Sequence, residues 1–447
     1  MSMVDHTRRR NPARIVPLSF LAVMAVGTMM LSLPIAHASG RTDVLAAAFT
    51  TVSATCVTGL VTVDTATYWT PFGQAVIILL IQIGGLGTMT LATLLALLVR
   101  GRVRLGMLMR TQTETKTMGL GDVRRVVVRI VLATLAAEGA IALWLTWRFR
   151  AAYDDDLLTA LWHGVFHAVS AFNNAGFALY SDNLVGFVSD GWIIAPICLA
   201  IIAGGIGYPA YFELLRRWHR PHAWSIYLRL TLAGYAILLV AGIAAFVLWE
   251  WNNPGTLGPL DLWGKVWGSV AGGVFPRTAG FNSIDYGQIR PETLVVDLVL
   301  MFVGGGSAGT AGGVKVTTFF LLAYVIWSEL RGSTEVRLGN RGVSLAAQRQ
   351  ALTVALLGVG LVTSAVIALI VLTDHPLDRV VFEVVSAFGT VGLSMNLTPQ
   401  LPPAAQLVIM GVMFCGRVGT VTVASALALS RPRTYHYHLP EEHTIVG

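Results

Sequence analysis

The chain has 447 residues, of which 55% are hydrophobic and only 12% are charged, and its mean hydropathy is +0.67. A soluble protein of this size could not keep such a composition in water, so much of the chain must have lipid as its solvent. The formal net charge of +7 does not indicate nucleic-acid binding, because the Arg residues gather between apolar runs without an aromatic surface stripe. The cysteines, Cys56, Cys198 and Cys415, lack C-x-x-C spacing and predict neither a disulfide framework nor a zinc site.

Eight apolar runs reach the length of about 20 residues that a bilayer core demands. They cover 15–36, 72–99, 124–147, 191–214, 226–250, 293–325, 350–373 and 403–430. The first run follows three arginines and precedes Ala36-His37-Ala38, which is typical of a secretory signal. It exceeds the usual signal core of about 7–15 residues, however, so we interpret it as the first membrane span.

The connections between the runs alternate in charge. Arg residues are concentrated in 100–129, 215–229 and 331–349. The positive-inside rule therefore places these connections and both termini in the cytoplasm of a multi-pass inner (plasma) membrane protein.

The outer connections each contain an apolar segment that is too short to cross a bilayer. These segments are 42–58, 157–175, 262–279 and 377–391, and we interpret them as re-entrant helices. Phe49-Thr-Thr-Val-Ser53-Ala matches Phe166-His-Ala-Val-Ser170-Ala and Phe382-Glu-Val-Val-Ser386-Ala, and the looser third copy has Val274 at the Ser position. An internal repeat of this kind predicts four similar structural units.

Each copy ends in a glycine followed by a large apolar residue. Gly59, Gly176, Gly280 and Gly392 are separated by 117, 104 and 112 residues. One unit is therefore helix, re-entrant helix, glycine and helix. The predicted units are 1–100 (pore loop 42–60), 101–220 (pore loop 157–177), 221–340 (pore loop 262–281) and 341–447 (pore loop 377–393).

A second set of glycines follows at a similar distance in each unit. It comprises Gly84-Gly85-Leu86-Gly87, Gly204-Gly205-Ile206-Gly207, Gly304-Gly305-Gly306 and Gly416-Arg417-Val418-Gly419. These glycines support the repeat register, and close helix packing is an equally good interpretation of them.

Four such units predict an all-α polytopic membrane protein with eight spans around one central cation pore. A ring of backbone carbonyls can replace the hydration shell of an ion. Glycine permits the positive φ that such a backbone requires. A short helix whose C-terminal end points at the axis adds partial negative charge for a cation.

Five segments of this sequence resemble the Trk/Ktr/HKT superfamily of potassium transporters over about 15–430. They are Thr55-Cys56-Val57-Thr58-Gly59-Leu60, Asn173-Asn174-Ala175-Gly176-Phe177, Arg277-Thr278-Ala279-Gly280-Phe281-Asn282, Gly389-Thr390-Val391-Gly392-Leu393-Ser394 and Gly312-Gly313-Val314-Lys315-Val316-Thr317-Thr318. Eight spans without an extra N-terminal helix pair are most similar to the KtrB-type membrane subunits of bacterial Ktr systems.

The resemblance implies that the protein takes up potassium through a channel-like pore driven by ion gradients. It implies a selectivity filter at Thr58, Gly59, Ala175, Gly176, Ala279, Gly280, Val391 and Gly392. The implied ion ligands are the backbone carbonyls of Val57, Thr58, Asn174, Ala175, Thr278, Ala279, Thr390 and Val391. Glycine at all four filter positions is associated in the family with potassium preference, and a serine in the first unit with sodium.

The resemblance also implies the partners. It implies a homodimer in membrane lipid and a cytoplasmic, KtrA-like nucleotide-binding ring of regulatory subunits. It further implies potassium as the transported ion and sodium as a candidate activator, and no organic cofactor or nucleic acid is expected in this chain.

The sixth apolar run contains Gly304-Gly305-Gly306-Ser307-Ala308-Gly309-Thr310-Ala311-Gly312-Gly313. Each interior glycine costs a helix about 0.8–1.0 kcal/mol relative to alanine, so we expect the helix to break here. Irregular backbone at membrane depth must be buried or line a cavity, and the resemblance implies a movable gate. Flexible packing is the rival interpretation. A phosphate-binding loop is disfavoured, since Val314 separates Gly313 from Lys315.

Arg417 lies in an otherwise apolar final span and must have a partner or face a cavity. The resemblance implies that Arg417 lies near the gate loop. The alternative is an arginine that pairs with backbone carbonyls and only anchors helix packing. Lys315 lies closer to the cytoplasmic half of the membrane. An amine that snorkels toward the membrane interface is an equally good interpretation of this residue. Asn173 and Asn174 either line the outer pore mouth or cap the second re-entrant helix.

Two other classes of function share features with this sequence. A sodium-coupled secondary transporter with an alternating-access site is the alternative, although repeats of one orientation favour a fourfold pore. An intramembrane enzyme is disfavoured because His163 and His167, at i and i+4, are more typical of a helix face than of a metalloprotease motif.

Overall fold

The computed structural model describes residues 12–40, 43–108, 120–153, 156–333, 336–338 and 341–419. Nearly all of the regular structure there is helical. The helices are α1 (Pro12–Leu31), α2 (Val44–Cys56), α3 (Thr65–Tyr68), α4 (Pro71–Leu108), α5 (Leu120–Tyr153), α6 (Leu157–Phe172), α7 (Gly191–Ile206), α8 (Tyr208–Arg217), α9 (Ile226–Ala245), α10 (Leu262–Val274), α11 (Pro291–Phe302), α12 (Val316–Leu330), α13 (Leu345–Leu372), α14 (Leu377–Gly389) and α15 (Pro403–Phe414). A two-residue antiparallel pair, β1 (Arg337–Leu338) with β2 (Arg341–Gly342), lies in the Arg-rich connection before α13.

Four helices in the described part of the chain are long and apolar enough to cross a membrane. These stretches are Pro71–Thr90, Arg124–Tyr153, Ile226–Glu250 and Leu345–Leu372. The pair α7 and α8 would add a fifth span, and α1, α12 and α15 are shorter apolar helices. The all-helical membrane architecture is therefore confirmed, whereas the count of eight spans stays a prediction, since the last expected span extends beyond the described residues.

The apolar run 191–214 forms two helices, α7 and α8, rather than one straight helix. The chain bends by 94° between α7 and α8, at Gly207, whose φ is +91°. Pro209 then occupies the first turn of α8, where a missing N–H is tolerated. A Cβ at Gly207 would lie 2.6 Å from the carbonyl oxygen of Ser307, so a side chain here would collide with the glycine-rich segment.

The predicted break in the sixth run is confirmed. α11 ends at Phe302 and α12 begins at Val316, with non-helical chain between them. Backbone hydrogen bonds from Gly304 N to the Val314 carbonyl (2.8 Å) and from Val316 N to the Gly305 carbonyl (3.0 Å) bring the two ends of this segment together.

The short helices form the interior and the long helices surround them. In α14, Val380, Phe382 and Val384 have no exposed surface. On α13, by contrast, Leu356 is 62% exposed and Val371 is 80% exposed. Lipid is as apolar as these side chains, so an outward-facing apolar surface is the expected arrangement for a protein that crosses a membrane.

Candidate functional site

The four short helices α2, α6, α10 and α14 each end in a turn with the same unusual backbone conformation. The first to fourth turns, in chain order, are 57–59, 174–176, 278–280 and 390–392. Two residues before each glycine stands a non-glycine residue with a left-handed φ, namely Val57 (57°), Asn174 (59°), Thr278 (65°) and Thr390 (49°). The glycines themselves also have positive φ, at Gly59 (96°), Gly176 (70°), Gly280 (73°) and Gly392 (97°). A β-branched residue at positive φ is a genuine outlier, and such strain is stored at functional sites when the surroundings enforce it.

The four glycines meet in a ring whose order is the order of the chain. A Cβ at Gly59 would overlap the Ala175 carbonyl oxygen, and one at Gly176 would lie 2.8 Å from the Ala279 oxygen. A Cβ at Gly280 would lie 2.5 Å from the Val391 oxygen. The ring closes because a Cβ at Gly392 would overlap the Thr58 oxygen.

The carbonyl before each glycine therefore lies against the glycine of the neighbouring turn. Any side chain at these positions would fill the space between the turns. The residues predicted as a filter, from Thr58-Gly59 to Val391-Gly392, are thus brought together around one point. The carbonyls of Val57, Asn174, Thr278 and Thr390 remain predicted ligands.

A serine inside three of the short helices holds the turn that follows. Ser53 Oγ accepts a hydrogen bond from Gly59 N, and Ser386 Oγ accepts one from Gly392 N, both at 3.1 Å. Ser170 Oγ instead donates to the Phe177 carbonyl at 2.8 Å. The sequence repeat contained these serines, but their role as supports of the turns was not predicted from it.

The starts of three of the four short helices are fixed by carboxylate caps. Asp43, Asp156 and Asp261 accept hydrogen bonds from backbone N–H groups of the first turns of α2, α6 and α10. Hydrogen bonds from the Thr159 side chain and then from first-turn backbone N–H groups lower the pKa of the Asp156 carboxyl. With their N-termini capped in this way, these helices direct the negative ends of their dipoles toward the glycine ring.

The second set of glycines allows close approach to the short helices. A Cβ at Gly84, Gly204 or Gly416 would overlap the carbonyl oxygen of Thr55, Phe172 or Phe388, respectively. Each of those carbonyls lies four residues before a ring glycine. The packing interpretation of these three glycines is therefore confirmed, and Gly304 packs instead against the Gly312 carbonyl.

The glycine-rich segment 304–313 lies directly against the turns of the ring and is held by several parts of the chain. Gly306 N donates to the Gly205 carbonyl at 2.8 Å, and Thr310 N donates to the Gly204 carbonyl at 3.1 Å. The hydroxyl of Tyr227 donates to the Ser307 carbonyl at 2.8 Å. On another side, a Cβ at Gly312 would lie 2.9 Å from the carbonyl oxygen of Gly389.

The third turn also contacts this segment. The fully buried Arg277 guanidinium donates to the Val303 and Gly304 carbonyls, each at 3.0 Å. The same group lies 4.6 Å from the ring centroid of Tyr235. Arg277 therefore ties the start of the segment to the third turn, a role that the sequence motif did not predict.

Arg417 joins the segment to α4. Its guanidinium donates to the Thr310 carbonyl, to the Gly84 carbonyl at 3.2 Å and to Thr88 Oγ1 at 2.9 Å. The residue is only 2% exposed. Both sequence interpretations hold in part, since the arginine contacts the glycine-rich segment and also packs on backbone carbonyls.

Lys315 does not extend toward an interface. Its amine donates to the Ala311 carbonyl and lies 3.5 Å from the Gly312 carbonyl oxygen. Lys315 is also the N-cap residue of α12. The amine therefore closes the end of the segment on itself, and the interpretation of Lys315 as a snorkelling side chain was wrong.

Asn173 and Asn174 are both buried, and the alternative that they cap the second short helix holds for Asn173. The Asn173 amide donates to Glu138 Oε1 at 2.8 Å, and Asn173 stands at the C-cap of α6. Asn174 Oδ1 accepts from the Thr310 hydroxyl at 3.2 Å, and its amide donates to Thr278 Oγ1 at 3.4 Å. Asn174 thus connects the second and third turns to the glycine-rich segment.

His163 and His167 pack between α6 and the chain after Gly176. A ring nitrogen of His163 lies 2.9 Å from the Tyr180 hydroxyl, and Leu179 N donates to His167 Nε2 at 3.3 Å. This arrangement agrees with helix-face residues.

Apolar helices of membrane-crossing length, arranged around four converging turns whose carbonyls lie against the ring glycines, are typical of a polytopic membrane protein of the cation-transporting class. Comparison with known proteins gives the family. The family model TrkH, described as "Cation transport protein", matches residues 5–436. The chain therefore belongs to this family, and the resemblance seen in the sequence is confirmed.

Several relatives match over nearly their whole length. The Ktr system potassium uptake protein B of Bacillus subtilis is 38% identical, over 96% of each chain. The protein of the same name from Vibrio alginolyticus is 35% identical, over 97% of this chain and 94% of the relative. The potassium/sodium uptake protein NtpJ of Enterococcus hirae is 33% identical over 98% of each chain.

A solved structure shows the same fold. The crystal structure of the potassium transporter TrkH from Vibrio parahaemolyticus superposes with a TM-score of 0.71. The comparison covers 96% of this chain and 87% of that one, at 15% sequence identity. At that identity, the structural comparison supports the fold alone.

Proposed function

We propose that this chain is the membrane subunit of a potassium uptake system in the inner membrane, and that potassium ions pass through the glycine ring. The observation that carries the proposal is the cyclic arrangement of the carbonyls of Thr58, Ala175, Ala279 and Val391 against the ring glycines. Backbone oxygens at such a constriction replace the hydration shell of an alkali cation. The relatives described above are named for potassium uptake.

The short helices contribute the electrostatics. Their C-terminal ends, which carry partial negative charge, precede the ring in all four turns. A cation at the ring is therefore stabilised without any acidic side chain. Because each turn has a single filter glycine, we expect fewer ion sites and weaker selectivity than in longer channel filters.

We further propose that the segment 304–313 is a gate. It lies against the second and fourth turns, as the contacts of Thr310 with Asn174 and of Gly312 with Gly389 show. Arg417 holds the segment in place and puts a fixed positive charge next to the path. Movement of the segment would open the path below the ring.

The partners are proposed from the resemblance and from the names of the relatives. "Ktr system" describes a protein that works with other components. We propose that Arg102, Arg104, Arg110 and the basic cluster 331–341 face the cytoplasm and help dock a KtrA-like nucleotide-binding ring. We propose a homodimer with both termini in the cytoplasm, and sodium as an activator. An alternating-access sodium-coupled transporter is not favoured, because the turns share one orientation and converge on one ring.

The test is the relative uptake of rubidium and sodium by liposomes that contain the purified protein. Gly59→Ser should lower the rubidium-to-sodium ratio, because the φ of 96° disfavours a side chain and a Cβ would overlap the Ala175 carbonyl. Gly360→Ser is the matched control, since nothing lies within 4 Å of a Cβ at Gly360. An unchanged ratio in folded Gly59→Ser protein would contradict the filter assignment.

A further inference from the structure

We propose that Glu138 is a positioning residue for ion selectivity, which acts by holding Asn173 and thereby the second turn of the ring. The inference rests on the proposed function, because it assumes that this turn is part of the filter. The hydrogen bonds of Glu138 go to Gln82 and Asn173, and of these two residues Asn173 directly precedes the second turn, so we infer that its effect on ions passes through Asn173.

Glu138 is a buried carboxylate on the inward face of a span whose other face is exposed. It lies on α5 and is 4% exposed, together with Thr134 (0%) and Ala142 (7%) on the same helical face. Elsewhere on α5, Leu132 is 61% exposed and Leu143 is 70% exposed. An ionisable side chain inside a membrane span is expensive, and such residues mark functional sites by default.

The carboxylate is bound by two amides from two other helices. Asn173 Nδ2 donates to Oε1 at 2.8 Å, and Gln82 Nε2 of α4 donates to Oε2 at 3.1 Å. Asn173 Nδ2 also lies 3.0 Å from Gln82 Oε1, which closes the cluster. Within the described residues, no lysine or arginine forms an ion pair with Glu138.

The hydrogen-bonded cluster of Gln82, Glu138 and Asn173 directly adjoins the backbone of the second turn. Asn173 is followed directly by Asn174, whose left-handed φ of 59° begins the second turn, and then by Ala175 and Gly176. A Cβ at Gly85 would overlap Asn173 Oδ1, so α4 leaves room for this side chain. A strained turn keeps its geometry only when its surroundings over-determine it, and the Glu138 carboxylate supplies part of that constraint.

The substitution Glu138→Gln separates a positioning role from a purely structural one. Glutamine has the same size but offers a single acceptor oxygen, so one of the two amides would face another donor. We expect the rubidium-to-sodium uptake ratio to fall by about fivefold or more, which corresponds to a loss of about 1 kcal/mol. If the carboxylate only packs three helices together, the uptake per folded protein should change while the ratio stays at the wild-type value.

The matched control is Glu250→Gln. Glu250 is a fully buried carboxylate that is bound by neutral donors, including Thr256 at 2.7 Å and Thr293 at 2.5 Å. None of its hydrogen bonds involves a ring turn, so its substitution should leave the ratio unchanged. If Glu138→Gln protein does not fold, Gln82→Met tests the same cluster from its other side, and the ratio should again fall.

The outcomes separate this inference from the filter assignment. A lowered ratio in both Gly59→Ser and Glu138→Gln, with Glu250→Gln unchanged, supports both. A lowered ratio in Gly59→Ser alone overturns the role of Glu138 and leaves the filter assignment standing. An unchanged ratio in folded Gly59→Ser, Glu138→Gln and Gln82→Met proteins overturns the filter assignment and the positioning role with it. A ratio that falls equally in Glu250→Gln also overturns the specific role of Glu138.

Discussion

Replacing Arg417 by alanine should raise the uptake of rubidium if the segment 304–313 closes the path. Arg417 makes one hydrogen bond to this segment, at the Thr310 carbonyl, and two to α4, at Gly84 and Thr88. Only the Thr310 bond would be broken by movement of the segment. Alanine at position 417 removes that bond and the positive charge beside the path.

The magnitude follows from the value of a hydrogen bond to a charged group, which is about 1.5–3 kcal/mol. Loss of that stabilisation shifts the ratio of closed to open protein by about 10- to 140-fold. If the closed state holds about 99% of the molecules, the open fraction would rise from about 1% to about 10–60%. Uptake at a fixed amount of folded protein should rise in the same proportion.

The assay is rubidium uptake by liposomes, normalised to the amount of protein that elutes as a single folded species. Thr88→Val is the matched control, because it removes a contact of Arg417 with α4 and leaves the bond to Thr310 intact. Its uptake should stay within about twofold of wild type. Wild-type or reduced uptake in folded Arg417→Ala protein refutes the role of Arg417 in holding the segment 304–313 closed. An equal rise in uptake in Thr88→Val would show that the contact of Arg417 with α4 matters instead.

Two further predictions use the same liposomes. Deletion of residues 306–311 should raise uptake and also lower the rubidium-to-sodium ratio, because Thr310 supports Asn174 of the second turn; reduced uptake in folded protein would indicate a packing role only. Ser386→Ala should lower the ratio, because the Gly392 N–H loses its acceptor, a loss of about 1–3 kcal/mol. Ser364→Ala on the exposed side of α13 is its control, and a ratio that is equal in the two serine variants would argue against a supporting role of Ser386.

Features that depend on local composition could be predicted from the sequence. Short apolar segments that end in glycine predicted α2, α6, α10 and α14, because length alone distinguishes them from spans. The glycine run predicted the break between α11 and α12, since so many glycines cannot sustain a helix. The repeat of a single glycine predicted that four turns would meet.

Features that depend on a distant partner could not be predicted. The bend at Gly207 had a local signal in the Gly-Tyr-Pro order, but the close approach of Ser307, about 100 residues away, which leaves no room for a side chain there, had none. Glu138 gave no signal of this kind, because one carboxylate hardly changes the hydropathy of an apolar run. Its importance becomes visible only when Gln82 and Asn173 are seen to bind it.

The contacts of Thr310 imply that the proposed gate and the proposed filter are coupled. Its carbonyl accepts from Arg417, its hydroxyl donates to Asn174 at 3.2 Å, and its N–H donates to the Gly204 carbonyl at 3.1 Å. Movement of the segment would break these three bonds together, so intermediate positions would lose all of them and gain little. A segment held in this way should have two discrete arrangements rather than a continuous range. Opening the path would then also release Asn174, and the open protein should discriminate less between potassium and sodium than the closed geometry of the ring suggests.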